Sequence, residues 1–397
     1  MGLPNEFSRT KLPPTVWSLI AEAAREKEKE GGKIYALHIG DTHLSFPSEL
    51  TTPIDGEELS DGKGFASHLN RYGDTFGEAP LRELVLKKVR NKNNLPAESI
   101  DCIQITGGAT SGLETGFNKL LSKGADVLVL APYWSILREV ADAADVRIIE
   151  VPFFDRILTN KDVSPFEILE QYITPKTEGI YINVPSNPTG MLLESTYLES
   201  IAQFAIDKDL WVFSDEAYED FIWNEGKHIS IGSLPSMYER TLSVFTFSKC
   251  FGASGIRCGY AVADPAVISQ INRGVVGAYY QPGRLGQLYA WRGMMRFDSA
   301  LSKFRSDYQP TWEWVKENLK VEAMPCDAGF YFFVALPESW IELSPTDKVQ
   351  KMLDCGIALA PGEYFGDNYR GWARMCFTIL PLEQMKTSVE IINERFK

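Results

Sequence analysis

The sequence predicts an α/β fold: a mostly parallel seven-stranded sheet with helices on both faces, followed by a smaller α+β region. Two observations carry this expectation. From about residue 100, short apolar, β-branched runs alternate with helix-like segments, the pattern of a sheet buried on both sides. After about residue 290 the alternation gives way to one long helical stretch and then strands and helices in mixed order. A chain of 397 residues has room for two domains. The expected division is an N-terminal segment (1–45) packing with the small domain, a large domain (46–290) and a small C-terminal domain (291–397).

In chain order, residues 15–30 (TVWSLIAEAAREKEKE) have helical spacing and stop at Gly31 and Gly32. IYALHIG (34–40) is a short apolar strand, and LRELVLKKVRNKNN (81–94) a helix with a polar stop. The strands of the main sheet are expected at CIQIT (102–106), DVLVLA (126–131), RIIEVPF (147–153), GIYINV (179–184), LWVFS (210–214), TLSVFTF (241–247) and CGYAVAD (258–264). Helices are expected at 110–121, through Glu139 and Ala144, and from about Glu194 to Ile206. The C-terminal region reads as a helix from Ser299 to Asn318, strand 330–336, a helix near 346–354, strand 373–379 and a closing helix.

Composition narrows the function classes. The net charge of −13 argues against nucleic-acid and anionic-membrane partners. Cys102, Cys250, Cys258, Cys326, Cys355 and Cys376 are scattered, without a C-x-x-C pair, as expected of reduced thiols. The four histidines (His38, His43, His68 and His228) form no zinc motif, so no metal is expected. No run is apolar enough for a spanning helix, and the first ten residues lack a signal core. A myristoylation pattern fails at Glu6. A soluble, cytoplasmic protein is the expectation.

Ligands of α/β sheets collect at the carboxyl ends of strands, and the unusual residues fall there. CIQIT runs into Gly107, Gly108, Ala109, Thr110, Ser111 and Gly112, a tight turn or a phosphate cradle opening a helix. TLSVFTF runs into Ser248 and Lys249, with Arg257 eight residues on. A lysine there is either an ordinary loop residue or an amine whose pKa falls with burial and a neighbouring cation, as Schiff-base chemistry requires. LWVFS runs into Asp215, Glu216, Ala217 and Tyr218; Asp215 is a helix cap or a carboxylate in need of a cationic partner. GIYINV runs into PSNPTG (185–190), a turn in which Asn187 can also bond a ligand oxygen. Tyr133 and Trp134 follow a strand and serve either core packing or stacking on a planar ring.

Taken together, GGATSG, APYW, NVPSNPTG, SDEAY and TFSKCFGASGIRCGY resemble, in order and spacing, the class I/II aminotransferases, which are pyridoxal-phosphate (PLP) enzymes of fold type I. RYGDTFGEAPLRE (71–83), LHIGD (37–41), APGEYFG (360–366) and ARMCF (373–377) extend the resemblance over about residues 15–395. It implies PLP bound as a Schiff base on Lys249, with Asp215 on the pyridine nitrogen and Asn187 and Tyr218 at O3′. Trp134 would stack on the ring, with Tyr133 as the substitute. Gly108, Ala109, Thr110, Thr246, Ser248 and Arg257 would hold the phosphate, joined by Tyr72 from the other subunit of a homodimer. Arg374, with Gly40 and Asn187, would receive the substrate carboxylate. Catalysis would be carried by Lys249, Asp215 and Tyr218, moving an amino group from an L-amino acid to a 2-oxo acid in ping-pong fashion.

Two departures bear on this. Thr246 stands where many relatives carry Ser, and Gly40-Asp41-Thr42-His43-Leu44 replaces a more usual Gly-acid-Pro-Asp-Phe pattern. His43 either faces the substrate or packs elsewhere. Segment 276–285 (VGAYYQPGRL) is read as a loop able to line the pocket, and Arg273 and Arg284 as candidates for a second carboxylate. The alternative enzyme reading keeps the cofactor and changes the reaction to that of a lyase, decarboxylase, cyclase or oxidase. A non-enzymatic regulator reading is disfavoured, because Lys249, Asp215 and Arg374 are all present.

Overall fold

The computed structural model describes residues 16–55 and 69–396. His68 and the first ten residues lie outside the described residues. The strands are Tyr35–Ala36 (β1), Ile103–Thr106 (β2), Asp126–Ala131 (β3), Arg147–Pro152 (β4), Thr177–Asn183 (β5), Trp211–Asp215 (β6), Thr241–Thr246 (β7), Gly259–Val262 (β8), Tyr331–Ala335 (β9), Ile357–Ala358 (β10), Ala360–Pro361 (β11) and Trp372–Cys376 (β12).

Seven of them form the main sheet in the order β2-β8-β7-β6-β5-β3-β4. Pairing is parallel except at β8, which runs antiparallel to both β2 and β7. Alternation along each strand explains the near-continuous apolar runs. Leu128, Leu130, Ile180, Ile182 and Val212 belong to one buried layer, together with Leu198, Ile201 and Phe204 of helix Ser195–Asp207. Val127, Val129, Tyr181 and Phe213 belong to the other, where Phe117 of helix Ala109–Leu120 meets Phe213 edge to face at 4.6 Å.

The C-terminal region carries a three-stranded antiparallel sheet, β11-β12-β9, with Arg374 between Ala360 and Phe333. Helix Phe297–Asn318 runs into this region through an internal proline, Pro310. The N-terminal segment is seated on the same region. Tyr35 and Ala36 pair with Ile357 and Ala358, Cys376 donates its N–H to the Leu37 carbonyl at 2.8 Å, and Lys27 pairs with Asp354 at 2.8 Å. The strand expected at 34–40 is therefore two residues long. Beyond it the backbone turns its hydrogen bonds to β12 and carries Gly40 toward the end of β7.

Six α-helices were not anticipated: the single turns Ser48–Thr51 and Phe247–Cys250, and Phe154–Thr159, Pro165–Glu170, Pro265–Tyr279 and Arg284–Met295. The last two correct the expectation of a loop at 276–285. Pro265 opens the helix and Asp264 caps it, accepting from the Ala266 N–H at 2.8 Å. Gly274 and Gly277 weaken the helical signal in the sequence. Gly274 is nonetheless needed: a Cβ there would lie 2.3 Å from Thr115 Cγ2, where this helix crosses Ala109–Leu120.

A buried ionic cluster lies beneath the loop that follows β6. Lys88, buried on helix Ala79–Asn91, pairs with Glu219 and reaches Asp220 at 3.7 Å. Burial works against its charge, but the two carboxylates hold its pKa well above the usual lysine range. Asn93 donates to Glu219, and Glu216 accepts from Ser230 and pairs with His228 at 2.7 Å. Replacing Lys88 leaves two buried carboxylates without their cation. Lys88→Met is expected to lower unfolding stability by about 3–5 kcal/mol, read as a fall in the urea midpoint. A midpoint unchanged from wild type would refute the cluster's structural role.

Candidate active site

The ends of β2, β3, β5, β6 and β7 converge on one cavity of about 360 Å³. Of the fourteen residues to which the resemblance gives a first-choice site role, twelve line it: Gly40, Ala109, Thr110, Trp134, Asn187, Asp215, Tyr218, Thr246, Ser248, Lys249, Arg257 and Arg374. Gly108 stands just behind the wall, and Tyr72 lies outside it, exposed, its ring 4.7 Å from that of Tyr280.

One end of the cavity is built for an anion. Helix Ala109–Leu120 opens there behind Gly108, whose φ of +92° suits glycine. A Cβ on Gly108 would lie 2.8 Å from Arg257 Nη2, and one on Gly259 2.9 Å from the Gly108 backbone. Arg257, itself at φ +48°, is held by the Ser254 carbonyl at 2.9 Å and the Gly107 carbonyl at 3.2 Å. Thr246 caps the short helix bearing Lys249: its hydroxyl accepts from the Ser248 N–H at 3.1 Å and donates to the Ser248 hydroxyl at 2.9 Å. Two hydroxyls, a guanidinium and free helix N–H groups thus share one end of the cavity.

The centre holds a buried amine and a buried acid. Lys249 Nζ donates to the Gly40 carbonyl at 2.5 Å and lies 5.7 Å from the Tyr218 ring centre. Burial lowers its pKa, and the nearby Arg374 and Arg257 charges add to the fall against Cys376 and Asp41. Asp215 is pushed up to about 6, chiefly by burial. It accepts from the Tyr181 hydroxyl at 2.9 Å and the Ala217 N–H at 3.2 Å, and no described side chain forms an ion pair with it. Asn183 braces the neighbouring backbone, donating to the Asp215 carbonyl at 2.9 Å and accepting from the Asn187 N–H at 2.7 Å.

At the far side Arg374 is 2% exposed. It donates to Asn187 Oδ1 at 2.9 Å and to the His38 carbonyl at 2.6 Å, while its Nε has no partner. The rings of Tyr331, Trp17 and Phe365 surround the guanidinium at 4.3, 4.8 and 4.9 Å.

Over most of its length this chain matches a known family. The family pattern "Aminotransferase class I and II" covers residues 49–392. The chain belongs to the class I and II aminotransferases. A similar curated protein is the aspartate aminotransferase of Pyrococcus abyssi, 30% identical over 314 residues, covering 78% of this chain and 80% of the relative. Aromatic-amino-acid aminotransferase 2 of Thermococcus litoralis is 29% identical over 349 residues, 87% of each chain. A solved structure of the Thermus thermophilus aspartate aminotransferase, a single mutant, superposes with a TM-score of 0.86 over 98% of this chain and 100% of that one at 24% identity.

An aminotransferase of this class uses PLP, and the residues present fit it. The glycine-lined cradle suits a phosphate, the buried amine an aldehyde, and Asp215, which forms no ion pair among the described residues, a protonated ring nitrogen.

The sequence reading needs several corrections in this aminotransferase. Tyr133 cannot stand in for Trp134: its hydroxyl bonds Glu150 and Arg138, away from the cavity. His43 bonds the Thr378 carbonyl at 2.8 Å and does not line the cavity. Segment 276–285 does not line it either. Tyr279 instead bonds Ser111 at 3.0 Å beside a neighbouring groove. Arg284 pairs with Glu78 at 2.6 Å, and Arg273 is exposed; neither lines the cavity.

Residues not singled out also form the walls: Trp17, Ile39, Ile136, Asn183, Ala217, Ser254 and Tyr331. The Tyr331 hydroxyl bonds the Tyr218 hydroxyl at 2.6 Å, and a Cβ on Gly40 would fall 1.8 Å from it. The glycine in LHIGD therefore makes room for that hydroxyl. No local signal in the sequence marks Tyr331, because its partners are distant in the chain: Tyr218 lies 113 residues before it and Arg374 belongs to a different strand.

His38, whose carbonyl holds Arg374, is 3% exposed, and neither ring nitrogen has a partner. Burial, then the Arg374 charge, lowers its pKa from 6.5 to about 4. The unfolded chain binds this proton first as the pH falls, so stability present above pH 6.5 is lost between about 6.5 and 4. The full loss is worth about 3 kcal/mol. His38→Phe should narrow the stability gap between pH 7 and 4.5 by about 2 kcal/mol in urea titrations, and parallel pH profiles would refute the linkage.

Proposed function

We propose that Lys249, Asp215 and Tyr218 form the catalytic centre of this aminotransferase, which moves the amino group of an L-amino acid to a 2-oxo acid. The observation that carries this is a buried lysine of lowered pKa sharing one cavity with a buried, cation-free carboxylate. When bound, PLP supplies an aldehyde carbon, C4′, and a pyridine ring that withdraws electrons. In this reading Asp215 keeps a proton on the ring nitrogen, and Tyr181 and the Ala217 N–H keep the carboxylate in place. Tyr218 and Asn187 bond the ring's O3′, with Tyr331 orienting the Tyr218 hydroxyl. Trp134 covers a ring face. Gly108, Ala109, Thr110, Thr246, Ser248 and Arg257 hold the phosphate.

Arg374, with Gly40 and Asn187, would fix the substrate carboxylate, and the unprotonated Lys249 amine would accept the proton from substrate Cα. The lowered pKa enlarges the unprotonated fraction near neutral pH.

We further propose a cytoplasmic homodimer in which Tyr72 completes the neighbouring subunit's phosphate site. Tyr72, Val276, Tyr279, Tyr280 and Leu285 are exposed large apolar side chains, which supports burial by a second copy. Among the described residues no helix is long and apolar enough to cross a membrane. The division at 46–290 and 291–397 is also a proposal, its boundary lying within helix Arg284–Met295.

Purified protein loaded with PLP should show a visible absorption band that Lys249→Ala lacks, and amino donors added anaerobically should bleach it while keto acid forms. Release of ammonia, carbon dioxide or peroxide in place of keto acid would favour the lyase, decarboxylase or oxidase alternatives. Tyr72→Ala should leave a dimer by light scattering and weaken PLP retention about tenfold; unchanged retention would remove Tyr72 from the site.

A further inference from the structure

The cavity has more wall than the transamination roles use, and the part of that surplus not committed to other hydrogen bonds is mainly apolar. Among the described residues its charged groups are Lys249, Arg257, Arg374 and Asp215. Arg257 is bound to two carbonyls at the anion end, Lys249 and Asp215 occupy the centre, and Arg374 is committed beside Asn187. Two charges outside the wall are engaged elsewhere. Asp41 accepts from the Ser254 hydroxyl at 3.0 Å and the Thr42 N–H at 3.0 Å, and Arg284 is paired with Glu78. Of what remains, Asn183 is committed to the Asp215 carbonyl and the Asn187 N–H, and Ser254 to Asp41; the rest is mainly apolar, Trp17, Ile39 and Ile136, next to Trp134 and the ring of Tyr331. Ile39 is 45% exposed, and Trp17 and Ile136 are half-buried, so this wall has surface left to cover.

We propose that the amino donor carries an uncharged apolar side chain, aromatic above all, and that Trp17, Ile39 and Ile136 select it. The proposal rests on the transaminase reading of the same cavity. A donor held by Arg374 sits directly beside Trp17, whose ring is 4.8 Å from the guanidinium. A side-chain carboxylate or ammonium placed there loses its water and meets no described counter-charge, whereas an aromatic ring replaces water on Trp17 and the two isoleucines. The backbone of the N-terminal segment delivers two of the three selecting residues, so side-chain choice is made by a part of the chain separate from the main sheet.

The test uses the PLP-loaded enzyme and ligands that cannot react. 3-Phenylpropionate and succinate share one carboxylate for Arg374 and differ in the group beyond it. Their binding is read from the visible band, without turnover. 3-Phenylpropionate should bind at least about 100-fold more tightly than succinate. Ile136→Ala, which leaves the surroundings of Arg374 intact, should weaken 3-phenylpropionate about tenfold and leave acetate binding within about twofold. Ile39→Arg should shift the ratio toward succinate by about tenfold or more. Tighter binding of succinate, or of 6-aminohexanoate, to the wild type would overturn the proposal. These outcomes are separate from the fate of the transamination reading, which stands or falls on keto acid formed from any donor.

Discussion

Arg374 is the constraint from which the rest of the site follows. A guanidinium buried to this extent needs its donors satisfied and its charge faced by polarisable surface. This chain meets that need at every donor it bonds, leaving Nε spare, by gathering three distant parts of the sequence around it. Asn187 comes from the turn after β5, the His38 carbonyl and Trp17 from the N-terminal segment, and Tyr331 and Phe365 from the C-terminal region. The Arg374 charge also bears on its neighbours, depressing both His38 and Lys249. Holding the arginine and preparing the lysine are consequences of the same burial.

Burial acts on Lys249 and Asp215 in opposite chemical directions and to the same end. It lowers the base and raises the acid, so each is moved toward its neutral form in the absence of a cationic partner for the acid. The protein holds these groups in place with neutral contacts: the Gly40 carbonyl for one, a tyrosine hydroxyl and an N–H for the other. Their charges are left to be balanced by what enters.

The parts of this architecture legible in the sequence are those written locally. Strands buried on both faces leave unbroken apolar runs, and motif residues at strand ends sit within a few positions of those runs, so Lys249, Asp215, Asn187 and Ala109 could be singled out and are brought together around the cavity. Signals spread over the tertiary structure could not be read. Trp17 and Ile39 reach the cavity because β1 pairs with β10, some 320 residues on. Tyr331 sits inside what reads as an ordinary apolar strand. Helix Pro265–Tyr279 hides behind glycines that look like loop signals but permit close helix packing. Tyr133 and Trp134 are adjacent in sequence, and only the fold sends one to an ionic pair and the other to the cavity.

The interlock of Gly108, Arg257 and Gly259 leaves no space for even one added carbon at the two glycines. Such a junction cannot drift by small steps, since the first methyl group already collides with backbone or guanidinium. The lining at Ile39 and Ile136 is under no such restriction, because those side chains keep accessible surface. Heritable change in this chain is thereby channelled: the anion-holding end is frozen by geometry, and variation is free to accumulate at the opposite wall. A new preference among donors can thus arise without rebuilding the chemistry that acts on them.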